Sequence, residues 1–231
     1  MTTSHPQPCP ATERENPARR CVFVTGATGF MGRALVPELL RRGHRVRALV
    51  RTASLSRLPA GCEAVNGDAL EVESFVQQVT PADTWVHLVG VSHPAPWKAR
   101  GFAEVDLASV RAALAATRIA GIRHFIYLSV AQPAPVMRAY VAMRTRGEKL
   151  IRRSGLAATM VRPWYVLGPG RYWPRVLLPV YWLIERLPAT RAGALRLGLV
   201  TREQMTRALV DAVESPPAGT RILDVPAIRQ C

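Results

Sequence analysis

With 231 residues, 48% of them hydrophobic, the chain can bury one full core and is too apolar for a disordered protein. The formal net charge of +15 comes almost wholly from arginine, Lys98 and Lys149 being the two lysines. The arginines spread over Arg33 to Arg57, Arg138 to Arg153 and Arg171 to Arg207. No basic arm forms, which argues against a nucleic-acid partner and leaves a weak attraction to anionic membranes or acidic proteins. Cys9, Cys21, Cys62 and Cys231 show no C-x-x-C pair and no histidine spacing. They read as reduced thiols of a cytoplasmic protein with no metal site.

Residues 1–20 are polar and proline-rich and read as a flexible tail without a secretory signal. Cys21–Thr25 is a first strand, Arg33–Arg42 a helix ended by Gly43, and His44–Val50 a second strand. Leu55–Leu58 is a short helical turn, Cys62–Asn66 a third strand, and Val72–Val79 has helical apolar spacing. Thr84–Val89 is strand four, Phe102–Ala120 a long helix stopped by Gly121, and His124–Ser129 strand five. Ala139–Ser154 is a helix ended at Gly155, followed by strand six, Ala158–Arg162. After Pro163 the pattern loosens; Thr201–Glu214 reads as a helix and Arg221–Val225 as a last strand. Alternation of apolar strands with helices predicts a doubly wound parallel α/β sheet, a Rossmann fold. The expected organisation is one domain over 21–231, with 171–231 forming a small cap over the substrate. No apolar run reaches a membrane span; the nearest, Val176–Leu187, holds Pro179, Glu185 and Arg186.

The most informative stretch is Gly26-Ala27-Thr28-Gly29-Phe30-Met31-Gly32, between strand one and the first helix. Gly26 takes the tight turn, Gly29 lets backbone approach a pyrophosphate, and Gly32 lets the helix pack on the strand. The helix start then offers N–H groups and a positive dipole end to phosphates. An NAD-type site expects a carboxylate at the end of strand two, but the chain reads Val50-Arg51-Thr52 there. Arg51 suits a 2′-phosphate and can stack on adenine, so NADP is expected over NAD.

These residues resemble the extended and atypical short-chain dehydrogenase/reductases. Thr25–Gly32 is similar to that family's glycine loop, Gly67-Asp68 to its Gly-Asp after strand three, and Val86–Gly90 to its strand-four motif. Leu128-Ser129 and the span Gly155 to Gly170 continue in register, and the nearest resemblance is to the small NAD(P)H-binding proteins, which include NmrA-like sensors and relatives of a complex I accessory subunit. The resemblance implies that Asp68 and Ala69 contact adenine, and that Leu88, Val89 and Gly90 line the ribose and pyrophosphate. Pro163 would pass the nicotinamide, and Trp164 would wall the substrate pocket. Asp68 also suits a helix N-cap.

The same resemblance places the family's Tyr general acid and the Lys four residues on at Tyr140 and Arg144, with Glu148 four further. That spacing puts the side chains on one helical face. Arg keeps the charge near Tyr140 and can bind a ribose, but its pKa is too high for a proton relay. Ser129 is the expected substrate-oxygen ligand; His87 reads as a hydrogen-bonded core residue, and His93, after the strand-four loop, is not favoured as a residue facing the nicotinamide. The reading is an NAD(P)-binding oxidoreductase that reduces a small carbonyl or enone with NADPH. The alternatives are a non-catalytic NADP-binding sensor or assembly factor with a protein partner, and a nucleotide-sugar epimerase or dehydratase. A homodimer is the default oligomer.

Overall fold

The computed structural model describes residues 19–91, 95–134, 136–170, 193 and 196–231. Most of the tail, His93 and the segment 176–187 lie outside the described residues.

Seven parallel strands form the main sheet: β1 (Cys21–Thr25), β2 (Arg45–Val50), β3 (Glu63–Asn66), β4 (Thr84–His87), β5 (His124–Leu128), β6 (Ala157–Val161) and β9 (Thr220–Leu223). Their order is β3-β2-β1-β4-β5-β6-β9. The chain winds outward from β1 to β3, then returns to β4 on the other side of β1, pairing Val22 with Thr84 and Thr25 with His87. This reversal opens a crevice beyond the carboxyl ends of β1 and β4, where ligands of doubly wound sheets bind. Two shorter strands, β7 (Tyr165–Leu167) and β8 (Leu199–Thr201), pair in parallel beside it.

Helices cover both faces because β1 alternates its side chains. Val22 and Val24 pack with Leu35, Val36 and Leu39 of α1 (Gly32–Arg41) and with Met205, Leu209 and Val213 further along the chain. Phe23 faces the other way, among Phe75, Trp85, Phe125 and Met160. Against that second face lie Val110, Ala113 and Ala116 of α2 (Ala108–Ala120) and Ile151 of α3 (Arg138–Arg153). Burying such aliphatic and aromatic side chains stabilises the fold by about 1.5–3 kcal/mol each before entropy is set against it.

Three expectations are corrected. Val72–Val79 is not one helix but two 3₁₀ turns, because Phe75 (φ −141°, ψ −14°) leaves the helical region between them. The turn expected at Leu55–Leu58 is a 3₁₀ segment, Thr52–Arg57. The long helix starts earlier, at Ala99, and passes through a π-helical turn, Phe102–Leu107, before α2. Within 171–231, residues 199–231 return to the Rossmann body. Here α4 (Arg202–Glu214) packs on α1, β9 pairs with β6, and α5 (Val225–Gln230) closes the described chain. The segment 171–192 lies outside the described residues.

Candidate active site

One cleft, of about 920 Å³, runs along the carboxyl ends of the strands. Its first part is the glycine loop. Gly26 has φ +83°, and a Cβ there would lie 2.9 Å from the Leu88 carbonyl carbon. Gly32 has no room for a Cβ against the carbonyls of Gly26 and Ala27, so α1 starts close against the loop. Thr28, Gly29, Phe30 and Met31 line the cleft, whereas Ala27 is fully buried in the core. Ala27 and Gly32 shape the loop and do not line the cleft. No side chain caps the start of α1 and no acidic residue sits in its first turn. Thr201 caps α4 and Asp224 caps α5, whereas α2 and α3, like α1, start without a side-chain cap. An uncapped start beside a loop that a Cβ would fill fits a pyrophosphate.

Arg51 is exposed at the end of β2 and lines the cleft. The 3₁₀ segment turns Arg57 and Ser54 back to the same wall, with Arg57 donating to Ser54 Oγ at 2.6 Å. The sequence reading missed Arg57; its signal was a second arginine one short helical segment after Arg51. Asp68 and Ala69 face the cleft from beyond β3. Asp68 Oδ1 accepts the Leu70 N–H at 2.9 Å, the local turn an aspartate commonly makes. Leu88, Val89, Gly90 and Pro163 line the middle and far parts, with Trp164 on the wall and Trp97 at 84% exposure. Arg33 is exposed outside this lining.

At the far end Tyr140 lines the cleft, its ring 5.1 Å from that of Phe102. Arg144 is buried beneath it, its guanidinium 5.2 Å from the Tyr140 ring centre and 5.6 Å from that of Tyr127. It donates to the Leu128 carbonyl at 2.8 Å and pairs with Asp106 at 2.6 Å, while its Nε–H meets no partner within the protein. Burial opposes the charge on Arg144, but Tyr140, Tyr127 and Asp106 outweigh it and raise its pKa above the ordinary arginine value.

Ser129 lies at the cleft floor, 3% exposed, and donates to Glu148 Oε1 at 2.6 Å. Glu148 also accepts from Gln132 at 2.8 Å, Arg152 at 2.9 Å and both Nε (2.8 Å) and a terminal nitrogen of Arg162. Burial works to raise the Glu148 carboxyl, and the bonds from Arg162 and Ser129 outweigh it and hold it below its ordinary value. In this arrangement the Ser129 proton belongs to Glu148, and toward the cleft the oxygen is an acceptor. His87 is fully buried between Thr25 Oγ1 (3.0 Å) and Ser109 Oγ (3.2 Å). Burial and then Arg144 lower its pKa to about 3.

A doubly wound sheet with a glycine loop at its switch point defines a dinucleotide-binding protein of the Rossmann class. The profile of an NAD(P)H-binding family matches residues 26–177. The chain belongs to that NAD(P)H-binding family. It is 32% identical over 209 residues to a ceramide reductase of Caulobacter vibrioides, covering 87% of this chain and 63% of that protein. It is 30% identical over 227 residues to a 3-diazoavenalumate denitrifying reductase of a Streptomyces species, covering 86% of this chain and 73% of that one. Its fold is similar to that of the Bordetella bronchiseptica enzyme WbmH in complex with NAD+, with TM-score 0.66, 19% identity, and 89% and 75% of the two chains covered. Among the described residues no helix is long and apolar enough to cross a membrane.

Proposed function

We propose that this protein is an NADPH-dependent reductase of an apolar carbonyl or enone compound. The observation that carries the reading is one continuous cleft, which joins the start of α1, the Arg51–Arg57 wall and Tyr140 over Arg144. Arg51 and Arg57 take the 2′-phosphate as charge-assisted donors, and no carboxylate stands at the end of β2 to favour a free 2′-hydroxyl. Asp68 and Ala69 border the adenine, Leu88 to Gly90 the ribose and pyrophosphate, and Arg144 the second ribose. The bound cofactor supplies a hydride to the substrate carbon. Tyr140 gives its phenolic proton to the substrate oxygen and regains one from solvent, and Arg144 stabilises the phenolate by its charge. Ser129, its proton held by Glu148, leaves the substrate oxygen to Tyr140 and can accept only from a hydroxyl of the substrate or cofactor. Trp164, Val105 and Val166 wall the cleft and exclude water from an apolar substrate.

Two relatives near 30% identity are named as reductases, one of them acting on ceramide, which supports an apolar, lipid-like substrate. The test follows NADPH consumption against a panel of apolar ketones and enones. Turnover is expected for one of them, falling about 100-fold or more in Tyr140→Phe. Turnover unchanged in that variant would remove Tyr140 from the chemistry. Tight NADPH binding with no turnover on any compound would favour a sensor or assembly factor.

A further inference from the structure

Among the described residues Trp97 is the most exposed of the large apolar side chains, at 84%, and it lines the cleft. It stands in the 3₁₀ turn Pro96–Lys98, which leads through Ala99–Gly101 into the π-helical turn Phe102–Leu107. That segment runs from solvent down to the site. Phe102 is fully buried, with its ring 5.1 Å from that of Tyr140, and a Cβ on Gly101 would come 3.3 Å from the Val91 side chain. Five residues on from Trp97 comes Phe102, about 8–10 Å along a helical backbone. The indole therefore marks the mouth of the cleft on the Tyr140 side. Val105, Trp164 and Val166 line the cleft inside it. Lys98 and Arg100 line it nearby, Arg100 pairing with Glu104 at 3.1 Å, and their methylene stems add apolar surface. The groups read as adenine and 2′-phosphate ligands, Arg51, Arg57 and Asp68, follow β2 and β3, across β1 from the loop after β4 that carries Trp97. An indole is among the largest apolar surfaces a side chain offers, and here it continues an apolar wall out to solvent, as the rim of a ligand groove does.

We propose that the substrate carries a long alkyl chain, and that with its carbonyl at Tyr140 the chain leaves the cleft across Trp97. The proposal rests on the reading of Tyr140 as proton donor to a carbonyl, and adds the chain and its path. With C–C bonds of about 1.5 Å, an extended alkyl chain advances about 1.3 Å per carbon, so about six to eight carbons reach from Tyr140 to the indole. Shorter ketones stay inside and leave Trp97 in water; longer ones cover it. A methylene taken fully out of water gains about 4-fold in affinity, and about 2-fold where one side of the chain stays wet.

The test uses the full chain labelled with fluorotryptophan, the Trp97 line in the fluorine NMR spectrum being assigned by its loss in Trp97→Phe. NADP+ has no hydride to give, so in its presence methyl ketones of four to twelve carbons bind without reacting. A soluble gadolinium chelate broadens the lines of exposed indoles. The Trp97 line is expected to broaden in the free protein, with NADP+ alone and with the four-carbon ketone, and to be protected by the ten- and twelve-carbon ketones. By calorimetry, affinity is expected to rise about 16-fold from the eight-carbon to the twelve-carbon ketone, at about 2-fold per methylene. In Trp97→Ala that gain is expected to fall to about 3-fold or less, and Trp97→Phe to recover part of it. Protection by NADP+ alone would give the indole to the cofactor and overturn the proposal. Equal protection by short and long ketones, a chain-length gain that Trp97→Ala keeps, or no ketone binding at all would overturn it too. Long ketones that cover Trp97 yet are not turned over with NADPH would support the path and contradict the reductase reading alone, which separates the two failures.

Discussion

Residue types in this chain carry different duties from those their spacing suggests in isolation. Arg144 stands four residues after Tyr140, which the sequence shows, but its buried partner Asp106 comes from another helix and was invisible to a local reading. Ser129 is likewise at the expected strand end, yet its proton is spoken for by Glu148, a contact set by the packing of α3 on β5. The buried histidines give a test at this scale. His87 is lowered to about 3, by burial and then Arg144, and His124 to about 4, by burial and then Arg221, from an ordinary value of 6.5. The unfolded chain takes up protons at these sites below about pH 6.5 and the folded chain does not. The stability tied to keeping them neutral is therefore full above 6.5 and lost as pH falls toward their folded values. Glu38, held at about 2 first by its hydrogen bond from Arg41, loses its share only below its ordinary value of 4.5. The expected result is a urea midpoint that falls between about pH 7 and about pH 5. The slope should reach about 1.4 kcal/mol per pH unit per histidine. A flat profile over that interval would show that the two histidines are accessible in the folded state.

At the scale of elements, strands and amphipathic helices were legible because their signals are periodic and long. β1, β2, β5, α1, α3 and α4 lie within a residue or two of where the apolar pattern and the glycines put them. Short elements were not: β7 and β8 are three residues each and exist because they pair with one another across the chain. The π-helical turn carries no propensity signal either; it coincides with the place where Asp106 meets Val91 and Arg144, as such turns often do at functional sites. α4 begins with a reciprocal capping box. Thr201 Oγ1 accepts from Gln204 N at 3.2 Å, and Gln204 Oε1 accepts from Thr201 N at 2.8 Å. Thr201→Ala is expected to cost about 1 kcal/mol, read from the denaturant midpoint. Since α4 packs on α1 behind the glycine loop, an unchanged midpoint would mean that α4 does not share in the cooperative unfolding of the domain.

For the whole molecule, the strand order matters more than any single residue. Reversal of winding between β1 and β4 gathers the glycine loop, the end of β2, the turn after β3 and the Tyr140 end into one cleft. These residues are distant in sequence, and the order that unites them followed from the alternation of elements. Arg57 was the part of the wall that alternation could not place, since only the 3₁₀ segment after β2 turns it inward. The most direct measurement is calorimetric titration with NADPH and, separately, NADH, on wild type, Arg51→Ala and Arg57→Ala. The account predicts tighter binding of NADPH in the wild type. Each variant should weaken NADPH about 10–100-fold, as expected for one charge-assisted bond of about 1.5–3 kcal/mol, and leave NADH nearly unchanged. Equal affinity for the two dinucleotides, or variants that weaken both alike, would contradict it.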